Sequence, residues 1–515
     1  MFLVVVVIRH LTEHLHLRVP QLSLYAPAHH ARAFVPLPRF AWTAFTVPTA
    51  PQALAMVLAA AITAVVSCTS YSQDIYVPNP LFDTTASQYL RYSANRTGAL
   101  AFALLPALIL SAARKNLVAH ATGWSLDSWN IFHRFLGRLA TVLAAAHTVL
   151  YCAYIVERGE AFGPQWRLAY WWGGVTAGVG MLWLAGPPSV RWARRWSYEG
   201  FLWGHVLSSL LVVYMCAVHV FWVLSVEWLW VAAGLWAFDR GVRLWLAVGW
   251  GGCEGIAETR GNVVRLEVTV PVKKVGDAGP GLFVYLRFPG LRWSKSHPFS
   301  VSHVKRLGDT LAAAPEETPL LPTSEGKPSG QVQLTFVIRP YSGLTKALHT
   351  HAATPSTGHA LRVAVEGPYH HRIPLPPRTL FLAAGVGIAL VLPYLRAEPQ
   401  EAHWVLGRAE DLWALQRVLE ETPDRGLQGL KVWLTFGGHV QTEVLRELAR
   451  VDVKVVWEKP AVRHVVQLWL SAGGDAGGKT RTAVMACGPE RFLDACRSTV
   501  DALEGVEYWE EVSTK

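Results

Sequence analysis

The sequence is short of charge. Asp, Glu, Lys and Arg make up only 16% of its 515 residues, against about 25% in a typical soluble protein, and this weighs against a wholly soluble enzyme. Cysteine is also scarce: six in this length cannot staple a disulfide scaffold. Lys and Arg are spread thinly, with no basic run of five or more, so the net charge of +10 does not point to nucleic acid. The apolar poverty of a disordered chain is missing too, because hydrophobic residues reach 51% and Trp alone numbers 23. The apolar start, Met1 to Ile8, lacks a basic flank and a small-residue cleavage site, so it is neither a good signal peptide nor a span. What remains is an integral membrane protein with a soluble part, long enough for two to four domains.

The apolar residues lie mainly between Ala53 and Trp250. A membrane span needs roughly 20 of them to cross about 30 Å of hydrocarbon. Six stretches qualify: 53–70, 98–113 (short, with Pro106), 131–155, 168–186, 200–225 and 228–249, the last two forming a tight hairpin about Glu227. Basic loops (Arg114, Lys115; Arg191, Arg194, Arg195) alternate with mixed ones (Arg91 and Arg96 with Asp74 and Asp83; Arg158 and Arg167 with Glu157 and Glu160). That alternation puts both termini and the soluble half in the cytosol. Asn95-Arg96-Thr97 then reads as a glycosylation sequon in an outer loop. Residues 1–52, rich in His and Pro, read as a disordered tail.

Four histidines fall inside two of these spans: His133 and His147 in the third, His205 and His219 in the fifth. Ionisable residues within spans are rare and mark function. In both pairs the members are 14 residues apart, which on a helix is about 21 Å of rise and nearly one face. The third and fifth spans run in the same direction, so His133 is level with His205 near the cytosol and His147 with His219 near the outside. A single intramembrane His is more often an interhelical hydrogen-bond partner, but two levels of two facing imidazoles are what two stacked bis-His haems need. Zinc would want four ligands at one level. Arg138, set into the third span, suits a haem propionate.

After Trp250 the style changes. Val263–Val270, Leu282–Phe288 and Val332–Ile338 read as strands of a small antiparallel barrel, with 308–330 a disordered insertion in a hairpin. From about Thr379, strands alternate with helices. The first, Thr379–Ala384, runs straight into Gly385-Val386-Gly387-Ile388, the turn of a doubly wound nucleotide-binding fold. A lone GxG is often only a tight turn.

Together these residues resemble the ferric reductase and NADPH oxidase family of transmembrane flavocytochromes, most closely its fungal ferric/cupric-chelate reductases, over residues 98 to 510. The resemblance is carried by the paired His, His297-Pro298-Phe299-Ser300, Arg339-Pro340-Tyr341-Ser342-Gly343-Leu344-Thr345-Lys346, Glu366-Gly367-Pro368-Tyr369, Gly385-Val386-Gly387-Ile388, Cys487-Gly488-Pro489 and the acidic-aromatic Glu507–Glu511. It departs from the family at His370, where Gly is common, and in ending Val-Ser-Thr-Lys where fungal members often carry an aromatic residue over the flavin; Trp509 is the nearest substitute.

The resemblance implies a six-helix dihaem bundle over 53–250, an FAD-binding barrel over 251–376 and an NADPH-binding Rossmann-like domain over 377–515, as in ferredoxin reductases. FAD, two haems b and NADPH are the implied cofactors. Phe299 would pack by the flavin and Ser300 would bond its polar edge. His297 and Pro298 would shape that strand, and Gly343 and Thr345 would lie by the FAD phosphates. Gly367, Pro368, Gly385 and Gly387 would receive the nicotinamide nucleotide, with Cys487, Gly488 and Pro489 bordering its contact with the flavin. Arg408 would bind a 2′-phosphate. The implied function is transfer of electrons from cytosolic NADPH to ferric or cupric chelates outside, at the plasma or vacuolar membrane, with membrane lipid around the bundle and a metal permease or oxidase as partner. The same motifs serve an oxidase that makes superoxide, and a non-catalytic haem-binding component is a third reading. No EF-hand loop precedes the spans, which disfavours a calcium-regulated oxidase.

Overall fold

The computed structural model describes residues 34–37, 40–46, 50–69, most of 75–114, 126–186, 198–221, 226–249 and most of 252–512. It divides into a helical unit ending at Val242 and a second unit from Arg243 onward.

Within the tail, Phe34–Leu37 (β1) pairs with Phe40–Thr46 (β2) as an antiparallel hairpin, an element that hydropathy does not reveal. The helices that follow are α1 (Ala50–Cys68), α2 (Thr85–Ala103), α3 (Leu105–Ala112), α4 (Leu126–Glu157), the short α5 (Phe162–Gln165), α6 (Ala169–Ala185), α7 (Tyr198–Val220) and α8 (Glu227–Gly249). Three runs, 85–112, 128–157 and 200–220, are long and apolar enough to cross a membrane.

The second span begins well before residue 98. Its first half, from Thr85, is polar, and hydropathy passes over it; Ser87 and Gln88 are buried there against the bundle. Thr84 caps it by accepting the Ser87 N–H at 3.0 Å, and Pro106 occupies the first turn of α3, where a missing N–H costs nothing. The sequon is therefore not in a loop. Asn95-Arg96-Thr97 lies within α2, and the buried Thr97 hydroxyl donates to the Ser93 carbonyl at 2.8 Å.

α6 and α7 approach closely because α6 presents small residues at helical spacing. A Cβ on Gly173 would lie 3.3 Å from the Met215 carbonyl oxygen and one on Gly180 2.5 Å from Val212, with Ala177 buried between. Such stripes let membrane helices pack backbone to backbone.

The second unit opens with seven antiparallel strands: β3 (Cys253–Arg260), β4 (Val263–Pro271), β5 (Leu282–Phe288), β6 (Trp293–Ser300), β7 (His303–Leu307), β8 (Gln331–Ile338) and β9 (Ala360–His370). Short α9 (Pro289–Arg292) links β5 to β6, and α10 (Leu344–Ala353) links β8 to β9. The order is β6-β5-β9-β3-β4-β8-β7. Phe299 on β6 nonetheless meets Phe336 on β8, ring centres 6.5 Å apart. Strands near opposite ends of the order therefore touch, and the sheet curls into the expected barrel. Alternate residues of β5 (Leu282, Val284, Leu286, Phe288) fill its core. Of the expected insertion, 308–329 lies outside the described residues.

The remainder is a six-stranded parallel sheet: β10 (Arg378–Ala384), α11 (Ile388–Ala397), β11 (Ala402–Leu406), β12 (Leu430–Leu434), α12 (Thr442–Arg450), β13 (Lys454–Val456), α13 (Val462–Ala472), β14 (Thr482–Gly488), α14 (Glu490–Val500) and β15 (Val506–Val512). The order β13-β12-β11-β10-β14-β15 reverses direction between β10 and β14, the switch point at which open α/β sheets bind ligands. β10 carries buried residues on both faces, as a strand covered by helices on both sides must.

Candidate functional site

The four histidines face one another in two pairs. The His133 and His205 ring centres are 6.1 Å apart with planes at 70°, and those of His147 and His219 are 5.9 Å apart at 79°. A metal–imidazole bond is about 2.0 Å, so two axial imidazoles on one iron place their ring centres about 6 Å apart, the separation seen at both levels.

The ring nitrogens are also sorted. The Nδ1 atoms of His133, His147 and His219 lie 2.9, 2.7 and 2.7 Å from the carbonyl oxygens of Leu108, Ala94 and Tyr170. A carbonyl only accepts, so each Nδ1 carries the proton and each Nε2 presents its lone pair. That is how metal-ligating His is usually oriented, and the bond raises its basicity. His205 differs, since its buried Nδ1 has no partner among the described residues.

The His147–His219 pair is held twice by one device. His147 lies over Gly98, four residues beyond the Ala94 carbonyl that it bonds, and His219 lies over Gly174, four beyond that of Tyr170. A Cβ on Gly98 would stand 2.8 Å from His147 Nδ1, and one on Gly174 2.6 Å from His219 Nδ1. Both glycines are windows in a helix wall through which an imidazole reaches the backbone. No group of three or more His, Cys, Asp or Glu able to hold a metal ion occurs among the described residues, so paired imidazoles are the donor set, and they fit haem.

Arg138 is exposed on the stripe of α4 that also exposes Val142, Val149 and Val156.

In the barrel, β5 lies between the two motif strands. Val284 is opposite Phe299 and Leu286 opposite His297 on one side; Phe283 is opposite Tyr369 and Tyr285 opposite Glu366 on the other. The fold thus sets His297-Pro298-Phe299-Ser300 and Glu366-Gly367-Pro368-Tyr369 on either side of one strand. Phe283 stacks on Tyr369 at 5.4 Å. The buried Glu366 accepts from Tyr369 Oη at 2.9 Å and Arg243 Nε at 3.0 Å. Gly343 opens α10 with φ +66, a conformation that side chains resist, and Thr345 Oγ1 accepts the Tyr341 N–H at 3.1 Å.

At the switch point, Ala383 is opposite Cys487, so the Gly385-Val386-Gly387 and Cys487-Gly488-Pro489 turns sit side by side at the carboxyl ends of β10 and β14. Gly385 has φ +57 and its carbonyl accepts Trp404 Nε1 at 2.8 Å. A Cβ on Gly387 would lie 2.4 Å from the Cys487 carbonyl oxygen, so this turn admits only glycine. Burial, with Glu511 nearby, pushes the Cys487 thiol well above its ordinary range and keeps it neutral. Arg408 is exposed just past β11. Arg339 and Arg408 both bear on Asp411, whose carboxyl burial holds above the usual range against their pull. Trp509 is a strand residue, opposite Met485 and packed on the sheet core, not a terminal flap.

Comparison with known proteins agrees with the helical geometry. Residues 97–216 match the family model described as ferric reductase like transmembrane component, and that stretch contains His133, His147 and His205, with His219 three residues beyond it. The membrane part is thus similar to the ferric reductase family. Among similar proteins are ferric reductase transmembrane component 3 of Saccharomyces cerevisiae (29% identical over 330 residues, 62% of this chain and 41% of that one) and ferric/cupric reductase transmembrane component 2 of the same yeast (29% over 328 residues, 62% and 42%). A probable cell surface ferric reductase of Aspergillus oryzae is 26% identical over 359 residues (65% and 44%). The match thus spans about two fifths of the length of these relatives. Similarity to solved structures is weaker. The ferredoxin reductase in carbazole 1,9a-dioxygenase has TM-score 0.31 and 12% identity, over 52% of this chain and 70% of that one. The cytochrome b5 reductase domain of Ulva prolifera nitrate reductase has TM-score 0.26 and 11% identity, over 50% and 97%.

Proposed function

We propose that this chain, like the ferric reductases it resembles, moves electrons from cytosolic NADPH across the plasma membrane to ferric or cupric chelates outside. The observation that carries the reading is the pair of facing-imidazole levels, with three of the four rings fixed so that Nε2 points away from its backbone partner. When bound, FAD exchanges two electrons with the nicotinamide and one at a time with haem, and bis-His haems pass single electrons onward with no open coordination site.

The chain's own residues bind and orient. His133 and His205 hold the inner haem; His147 and His219 hold the outer. Phe299 packs on the flavin, Ser300 bonds its edge, and His297 and Pro298 set the strand. Gly343 and Thr345 leave room for the FAD phosphates at the start of α10, an N-terminus that favours anions. Gly367, Pro368, Gly385 and Gly387 admit the nicotinamide nucleotide, and Arg408 binds its 2′-phosphate. Cys487, neutral and apolar, lines the nicotinamide contact with Gly488 and Pro489.

The test is NADPH-driven ferric-chelate reduction by membranes with and without superoxide dismutase. Dismutase-insensitive reduction is expected. Complete loss with dismutase would make the protein an oxidase of dioxygen, and a dithionite difference spectrum without a b-type haem band would end the proposal.

A further inference from the structure

The residues around the outer histidine pair form a structure of their own. Arg91 is on α2, three residues before the Ala94 carbonyl that holds His147. Its guanidinium carbon sits 4.8 Å over the Tyr151 ring and 5.4 Å over that of Tyr154. Tyr151 is in turn 5.9 Å from the His147 ring and 6.1 Å from Trp171, and Trp171 is 6.2 Å from Trp166, which is 54% exposed. An unbroken aromatic ledge thus leads from the outer ligand to the surface, with an arginine lying on it.

The charges nearby are otherwise engaged. Arg158, also over Tyr154, is paired with Glu160 at 2.7 Å. Glu157 accepts from Thr84 Oγ1 at 3.1 Å, and Asp83 is the remaining acid among the described residues of this loop. No carboxylate pairs with Arg91 among the described residues. A guanidinium stacked by its face keeps its edge N–H groups for a bidentate anion.

We propose that this ledge is the docking site of the external acceptor, with Arg91 as its anchoring cation, and that it selects small anionic metal chelates. The inference rests on the function proposed above and adds the acceptor's charge and location. A carboxylate-bearing chelate held by Arg91 lies against Tyr151, one ring from the outer ligand. The step is a single-electron reduction of chelated Fe(III) to Fe(II) by the reduced protein, with no bond made or broken.

The test uses the full holoprotein, its haem reduced with dithionite and its reoxidation followed in a stopped flow by two outer-sphere probes, ferricyanide (an anion) and hexaammineruthenium(III) (a cation). Arg91→Gln is expected to slow ferricyanide about tenfold at low ionic strength and to quicken the cation. The salt dependence of the ferricyanide rate should flatten, Arg91→Lys should restore much of the rate, and haem content should stay unchanged. Equal slowing of both probes or loss of haem would overturn the site and assign Arg91 to a haem propionate. Wild-type haem that neither probe reoxidises would overturn the proposed function, and this site with it.

Discussion

Gly174→Ala isolates the packing behind His219, a proposed ligand of the outer haem. Its Cβ would stand 2.6 Å from His219 Nδ1, 2.8 Å from Cε1 and 3.2 Å from Cγ, all below the 3.4–4 Å of ordinary contact. The ring must tilt or the helices must part, and either breaks the 2.7 Å bond to Tyr170. Overpacking costs about 1–3 kcal/mol and a lost hydrogen bond about 0.5–1.5 kcal/mol, so the site weakens by roughly 2–4 kcal/mol. The control is on the same helix: a Cβ on Gly178 meets nothing within 4 Å, and Gly178→Ala should be neutral or mildly stabilising. The assay is haem per polypeptide by pyridine haemochrome, with a redox titration. Gly174→Ala should fall from two haems toward one, or shift one midpoint potential and leave the other. Gly98→Ala should do the same through His147, whose ring its Cβ approaches to 2.8 Å. Two haems with unshifted potentials in both variants would refute the window argument.

Other outcomes follow from the soluble unit. Gly387→Ala, which drives a Cβ to 2.4 Å from the Cys487 carbonyl oxygen, should abolish NADPH-driven bleaching of the flavin yet leave dithionite reduction of haem intact; rapid-scan absorbance separates the two. Arg243→Met strips the buried Glu366 of its 3.0 Å partner, and breaking a buried pair costs about 3–5 kcal/mol. The melting temperature read from flavin release should fall clearly, and Arg243→Met with Glu366→Gln should recover part of the loss. Cys487 and Cys496 should resist iodoacetamide in the folded protein at pH 8 and react on unfolding, because burial raises both thiols, Cys496 to about 12; mass spectrometry reads the labelling.

The histidine levels were legible because a 14-residue spacing repeated on two apolar helices is a local pattern with a fixed geometric meaning. The strands Val263–Val270, Leu282–Phe288 and Thr379–Ala384 were legible for the same reason. What escaped depends on long-range neighbours. The polar start of α2 is helical because Ser87 and Gln88 are buried against other helices, which no window of hydropathy contains. Arg91 read as a loop charge and is instead stacked on two tyrosines some sixty residues away. Gly98 and Gly174 carry no sequence mark of their role, since the imidazoles that need them belong to other helices.

The central claim is that electrons cross the membrane through two levels of paired histidine. Reconstitute the protein in sealed vesicles, sort for those with the soluble unit outside, supply NADPH there, and trap a ferric chelate with an Fe(II) indicator within. Wild type should reduce the trapped iron, whereas His147→Ala should still bleach its flavin with NADPH but leave the indicator colourless. Trapped iron reduced at the wild-type rate by His147→Ala would contradict the account.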